Sequence, residues 1–517
     1  MIQARRAMAG WRVPAMILLL ATILASGVGV AMFTGWSFAV LLALAMFVGL
    51  GLPALRARME LRLAAFFSLW AIGDFIKKVT FLADDQAAWS QYLVFLLPYL
   101  YFALAIALPW LFRRVWRGWR EITGFQLLVM IFVALALANT WASAQAGLIG
   151  KAAASGLLIA PWLMAGVASD HPEAIRPVAY ALLVCGILSG LYALIQFVHG
   201  PTVLELSWAG ETGRMSIGAS HLLDVLEGRS YAFLWRITGF QADEFTFAYF
   251  MLTAFACAWW LRSEGAVSEP VFVTSAALFA GTIGLSLVRT GWAALVAFAL
   301  FYVLARRRSF LLKPGLLVLL TGAAFFAGDI ASTVLNKVGN IAASSSNLLL
   351  RRALTFGTLE AREGASSVAA SVARGHWLSG LGFAASQWIT TKFGGFPSLQ
   401  GNFAAHNAIV ELLWYVGLLG VVLFFALLYA AQSGAWKSWK QGHLPMNHMA
   451  LMTAFVLAMY LTGLSTAGVF LTFPFFFYLG LLGARRNRDD NSSDPRNLLT
   501  KWRDNNGTGG LDGDRRP

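Results

Sequence analysis

The chain has 517 residues, of which 58% are hydrophobic and 12% charged, with 20 Trp and 39 Phe and a mean hydropathy of +0.67. Such a composition exceeds what a globular domain keeps in water and places the chain among polytopic α-helical membrane proteins. The formal net charge of +14 does not point to nucleic acid, because the basic residues come in short groups between apolar runs and read as topology signals.

In chain order, about fourteen stretches are long enough to cross a bilayer core of roughly 30 Å. They lie near 13–33, 36–53, 61–81, 91–112, 122–139, 152–168, 177–199, 244–261, 271–288, 291–305, 314–331, 406–430, 448–466 and 469–483. The first is longer than the apolar run of a signal peptide and is followed by further spans, so it reads as an anchor. Alternate connections carry Arg5, Arg6 and Arg12; Arg56, Arg58 and Arg62; Arg113, Arg114, Arg117 and Arg120; Arg306, Arg307, Arg308 and Lys313; Lys437 and Lys440; and Arg485, Arg486 and Arg488. By the positive-inside rule these face the cytoplasm, as do both termini. In the third span Asp74, Lys77 and Lys78 must face a polar interior, snorkel, or leave the bilayer early, and the sequence leaves all three open. Cys185 and Cys257 sit within apolar stretches and read as small buried hydrophobes.

Two connections on the opposite side are long, about 44 residues (200–243) and about 75 residues (331–405), lengths typical of functional loops or lids. The chemistry is therefore expected to face outward. Leu348, Leu349, Leu350, Leu354 and Leu359 recur near helical spacing in an Ala-, Ser- and Arg-rich stretch, which predicts one or two surface helices over 338–375. Residues 1–483 form a single integral-membrane domain in this reading. Residues 484–517, polar and rich in Gly, Asn and Asp, form a disordered cytoplasmic tail.

The outer loops concentrate arginine. Arg214, Arg229 and Arg236 fall in the first and Arg351, Arg352, Arg362 and Arg374 in the second, while Arg289 lies near the outer end of a tight helical hairpin in SLVRTGWAAL. Guanidinium forks match phosphate oxygens bidentately, so these residues are candidates for a diphosphate clamp; snorkelling or headgroup-binding arginines are the alternative. His406 and Asn407 head the apolar run AHNAIVELLWYVGLLGVVLFFALLYA, with Gly417 and Gly420 inside it. An imidazole at the water-facing start of a span can exchange protons with a substrate near neutral pH, or it can simply cap the helix. His376 in ARGHW is a second candidate for binding. Asp243 and Glu244 suit the helix start that follows them better than a sugar hydroxyl. Gly380 and Gly382 permit a tight turn before Phe383 and make a weak phosphate cradle.

Together these residues resemble the O-antigen ligase and O-antigen polymerase superfamily of bacterial envelope glycosyltransferases. The likeness is carried by His406, Asn407, Gly417 and Gly420; by SLVRTGW around Arg289; by RITGFQADEFTFAYF at 236–250; and by HWLSGLGFAA at 376–385, with GLYALIQFVHG at 190–200 similar to the helix end before the first outer loop. It covers roughly residues 180–430, and the first third matches only as generic spans. The resemblance implies a metal-independent, cofactor-free transferase in the bacterial inner membrane, with its active site facing the periplasm and a polyprenyl-diphosphate-linked oligosaccharide as donor. His406 and Arg289 would be catalytic; Arg236, Arg351, Arg352, Arg374, His376 and Asn407 would bind diphosphate or glycan. A glycan or lipid-linked acceptor, membrane lipids and a chain-length regulator are the implied partners.

The eight outer arginines favour a polymerase of surface-polysaccharide repeat units, which must hold two lipid diphosphates, over a ligase that passes a finished chain to lipid A-core. A lipid-glycan or polysaccharide transporter is the rival of another class. It should show paired halves with interrupted helices and no large outer loop late in the chain. A metal-dependent transferase would need outer carboxylates, but the Asp-X-Asp pattern at Asp512 and Asp514 falls in the tail.

Overall fold

The structure, a computed structural model, describes residues 57–83, 96–117, 122–143, 147–200, 202, 204–205, 237–286, 288–323, 374–386, 408–463 and 472–484. The helices are α1 (Met59–Ala83), α2 (Leu96–Arg114), α3 (Gly124–Ala142), α4 (Leu148–Asp170), α5 (Pro172–His199), α6 (Glu244–Ser263), α7 (Glu269–Leu285), α8 (Arg289–Arg307), α9 (Pro314–Ala323), α10 (Ala408–Lys440), α11 (Met446–Gly463) and α12 (Phe473–Gly483). Eight of them are long and apolar enough to cross a membrane. The chain is thus an all-α, polytopic membrane protein. The expected spans at 13–33 and 36–53, all but the last two residues of the surface helices expected over 338–375, and the tail after Ala484 lie outside the described residues.

Local chemistry sets the helix ends. Thr123 and Gln126 form a reciprocal capping box at the start of α3, and the Asp243 carboxylate accepts from Thr246 N at 2.8 Å to cap α6. Asp243 therefore serves the helix start, as its sequence position suggested.

Short connections make the helices alternate in direction. One end of the bundle gathers the ends of α1, α3 and α5 with the starts of α6, α8 and α10, next to the two long connections; this is called the loop end below. The opposite, basic end carries Arg58, Arg113, Arg114, Arg262, Arg306, Arg307, Arg308, Lys437 and Lys440. There the Asp170 carboxylate accepts from Trp110 Nε1 at 2.6 Å, from Arg114 Nε at 2.8 Å and from Gln126 Nε2, tying α2, α3 and α4 together.

α6 and α11 are the most buried spans, each with 83% of its apolar window inside the protein, against 33% for α8 at the rim. α12 has only eleven residues, and every one is buried. Its glycines let other elements come close: a Cβ on Gly480 would lie 2.8 Å from Ala168 Cβ, and one on Gly483 2.6 Å from the Phe125 ring. Without a hydrophobic drive between helices in lipid, such small-residue contacts and stacked rings supply the cohesion. Trp162 shows it, lying 3.6 Å from Phe132 and 4.4 Å from Phe476 between ring centroids.

The third span resolves towards a polar interior. α1 continues to Ala83, and Lys78 is 1% exposed, its Nζ 2.9 Å from Thr238 Oγ1, 3.3 Å from Gly239 O and 3.6 Å from Glu205 Oε1. Glu205 also accepts from Tyr192 OH at 3.0 Å and Thr202 N at 3.0 Å. Removing one partner of a buried ion pair typically costs about 3–5 kcal/mol because the other charge is left uncompensated. Lys78→Met is therefore expected to lower the unfolding temperature in detergent sharply, and adding Glu205→Gln to recover much of the loss. A single variant that melts with the wild type would show that the pair carries no stability.

Candidate functional site

Three structures lie at the loop end. The first is the segment 237–243, whose backbone is held by side chains of α1 and α5. Gln196 Oε1 accepts from Thr238 N and Gly239 N at 3.1 and 2.9 Å, Ser189 Oγ from Phe240 N at 3.0 Å, and Asp74 Oδ2 from Ala242 N at 3.0 Å. Gly239 has φ +53, and a Cβ there would fall 2.6 Å from Ser189 Oγ. An irregular segment within a membrane protein needs such partners for every amide, since lipid offers none.

The second is the start of α8. α7 and α8 form the expected hairpin, closed by Trp292 Nε1 donating to Ile283 O at 3.0 Å. Gly291 lets α8 approach α6, a Cβ there lying 2.7 Å from Ala248 Cβ. Arg289 is the first residue of α8 and half-buried. A cation at a helix N-terminus opposes the helix dipole. Beside it, Thr290 Oγ1 is buried and has no hydrogen-bond partner among the described residues. Arg289→Lys keeps the charge and loses the fork, and on the reading developed below it should cut turnover about 100-fold, near the loss of one strong transition-state contact. Equal turnover for the two side chains would assign Arg289 to lipid headgroups instead.

The third is a break in α10. Gly417 has φ +66 and ψ −172, a conformation open in practice only to glycine, so a half-helix 408–416 is set off from the long run that follows. Segment 374–386 fills the break. Leu381 N donates to Trp414 O at 2.7 Å and Gly382 N to Tyr415 O at 2.9 Å, while Leu418 N donates to Trp377 O at 2.7 Å. Three left-handed glycines make the close approach possible. A Cβ on Gly380 would lie 2.6 Å from Tyr415 O, one on Gly382 2.7 Å from Thr140 Cα, and one on Gly417 would overlap Leu378 O. Gly420 leaves room for the Val416 side chain. The Phe383 ring packs on Tyr415 at 4.8 Å.

This geometry decides the role of Gly380 and Gly382. Their amides are spent on His376 O and Tyr415 O, so neither serves a phosphate. His376 is exposed on a short turn, Arg374–His376. His406, Asn407, Arg236, Arg351 and Arg352 lie outside the described residues, as does the side chain of Arg374. Sequence reasoning missed Asn139 and Thr140, which hold segment 374–386 from α3: Asn139 Nδ2 donates to Ser379 O, and Thr140 Oγ1 accepts from Phe383 N at 3.0 Å. In the sequence they are only a polar pair ending an apolar run, which singles out no site. It also missed Trp414, whose buried Nε1 has no partner among the described residues.

No family model, curated protein or solved structure matches the chain.

Proposed function

We propose that the chain is a metal-independent glycosyltransferase of the bacterial inner membrane that uses a polyprenyl-diphosphate-linked glycan on the periplasmic face. One observation carries the reading. Two segments marked by the resemblance, 376–385 and the run containing Gly417 and Gly420, interlock backbone to backbone at a helix break. Their mutual fit supports reading the two segments as parts of one functional unit.

In this reading the basic end faces the cytoplasm and the loop end the periplasm. No nucleotide sugar is expected there, so the activated glycan arrives on a lipid. His406 takes the proton from the acceptor hydroxyl, whose oxygen bonds to the anomeric carbon as the bond from that carbon to the diphosphate oxygen breaks. The leaving lipid diphosphate carries its charge away without needing a proton. Arg289 stabilises that charge, with Arg236, Arg351, Arg352 and Arg374 as further clamp residues and His376 and Asn407 on the glycan.

An interrupted helix is also a transporter feature. In α10, however, the groups freed by the break are taken up by segment 374–386, which leaves Trp414 O, Tyr415 O and Leu418 N engaged rather than open to a passing solute. The outer arginines favour a polymerase, and reconstitution with lipid-linked repeat unit alone tests it. A ladder of longer lipid-linked glycans is expected. Product only after addition of a lipid A-core acceptor would establish a ligase, and no product with either would remove the transferase reading.

A further inference from the structure

We propose that Asn139 and Thr140, at the loop end of α3, are positioning residues for glycan transfer, acting through segment 374–386 on the half-helix 408–416; the inference rests on the glycosyltransferase reading above. α3 belongs to the part of the chain in which no motif stands out, and its role appears only in three dimensions. Thr140 is fully buried, with Oγ1 accepting from Phe383 N at 3.0 Å, and the neighbouring Asn139 amide donates to Ser379 O. The backbones touch as well, since a Cβ on Gly382 would lie 2.7 Å from Thr140 Cα. From Leu381 and Gly382 the next hydrogen bonds run to Trp414 O and Tyr415 O, the last turn of the half-helix before the Gly417 break. The linkage is continuous: two side chains of α3, four residues of the segment, then the half-helix.

The α3 side of this linkage is anchored at several points. At its far end α3 is fixed by the Thr123–Gln126 capping box and by Gln126 on Asp170. A π-helical turn in α4, Ser155–Ile159, packs against Phe383–Ala385 from the other side. The half-helix joins the rest of α10 through the single non-helical residue Gly417, so the segment's hydrogen bonds help to set its tilt. A tilt of about 10° over its length of roughly 13 Å moves its start by about 2 Å. His406 precedes that start by two residues in sequence, and a misplacement of about 1 Å can cost a reaction on the order of 100-fold.

The test compares Thr140→Val, which keeps the shape and loses the acceptor, with Thr140→Ser, which keeps the acceptor. Thr140→Val should lower kcat by about 100-fold with KM for the lipid-linked donor within about twofold, and Thr140→Ser should restore kcat. A purely structural threonine would lower the unfolding temperature and leave kcat alone, and that result overturns the proposal. A second readout needs no activity. Spin labels on cysteines at Lys151 and His406, the native Cys185 and Cys257 being buried, should give a shifted or broadened distance distribution in Thr140→Val and the parent distribution in Thr140→Ser. His406→Ala is assayed in parallel. If it proves active, the assignment of His406 as the base fails by itself; the distance measurement then decides the mechanical link, and an unmoved distribution overturns it.

Discussion

Gly417→Ala is expected to expel segment 374–386 from the break in α10 and to abolish activity. At φ +66 and ψ −172 a side chain costs on the order of 1–3 kcal/mol in backbone strain alone. Its Cβ would also overlap Leu378 O, so the segment must withdraw. Withdrawal leaves Trp414 O, Tyr415 O and Leu418 N without partners, at about 1–3 kcal/mol for each buried group left unsatisfied. Release therefore costs about 3–9 kcal/mol for the three groups, and it is forced because the new Cβ overlaps backbone atoms, which no side-chain rotation can move aside. Leu381, 6% exposed, reports the release. A cysteine at Leu381 should be inert to a thiol reagent in the parent protein and should label rapidly once Gly417 is alanine. Slow labelling in both, with equal melting temperatures, would mean that the break tolerates a side chain.

His406→Ala should abolish transfer while the protein remains inserted and folded. A histidine that only capped a helix would cost about 1 kcal/mol of stability on removal and little turnover. A general base contributes typically 100- to 10,000-fold, and Asn407 beside it offers no basic nitrogen to take over. The assay is single turnover of lipid-linked donor with purified, reconstituted protein. Near-parental rates would show that the proton leaves by another route and that His406 has a capping role.

Much of the fold was legible because charged residues bound the apolar runs. The expected span at 244–261 appears as Glu244–Ser263 and that at 448–466 as Met446–Gly463. The break in α10 was not legible. Its run is apolar throughout, glycine is common in membrane helices, and what opens the helix is a partner segment that supplies the missing hydrogen bonds from more than 30 residues upstream. Lys78 is similar: its surroundings come from Glu205 and Thr238, far along the chain, so local pattern could not choose between snorkelling and burial. Arg289 begins the second helix of the hairpin that its sequence context predicted. Asn139 and Thr140 were invisible because two polar residues at a span end are ordinary interface composition. Only the hydrogen bonds to Ser379 and Phe383 distinguish them.

The short α12 bears on how the protein is made. It is buried on every side, seated against Ala165 and Ala168 of α4 and against Phe125 of α3, yet in chain order it is the last of the described helices. Helices leave the ribosome in sequence, so α4 enters the bilayer long before the element that packs along it. Until α12 arrives, lipid or an insertion partner covers the face of α4 that carries Ala165 and Ala168. A stalled chain ending before Phe473 is expected to leave that face without α12 and open to quality-control proteases.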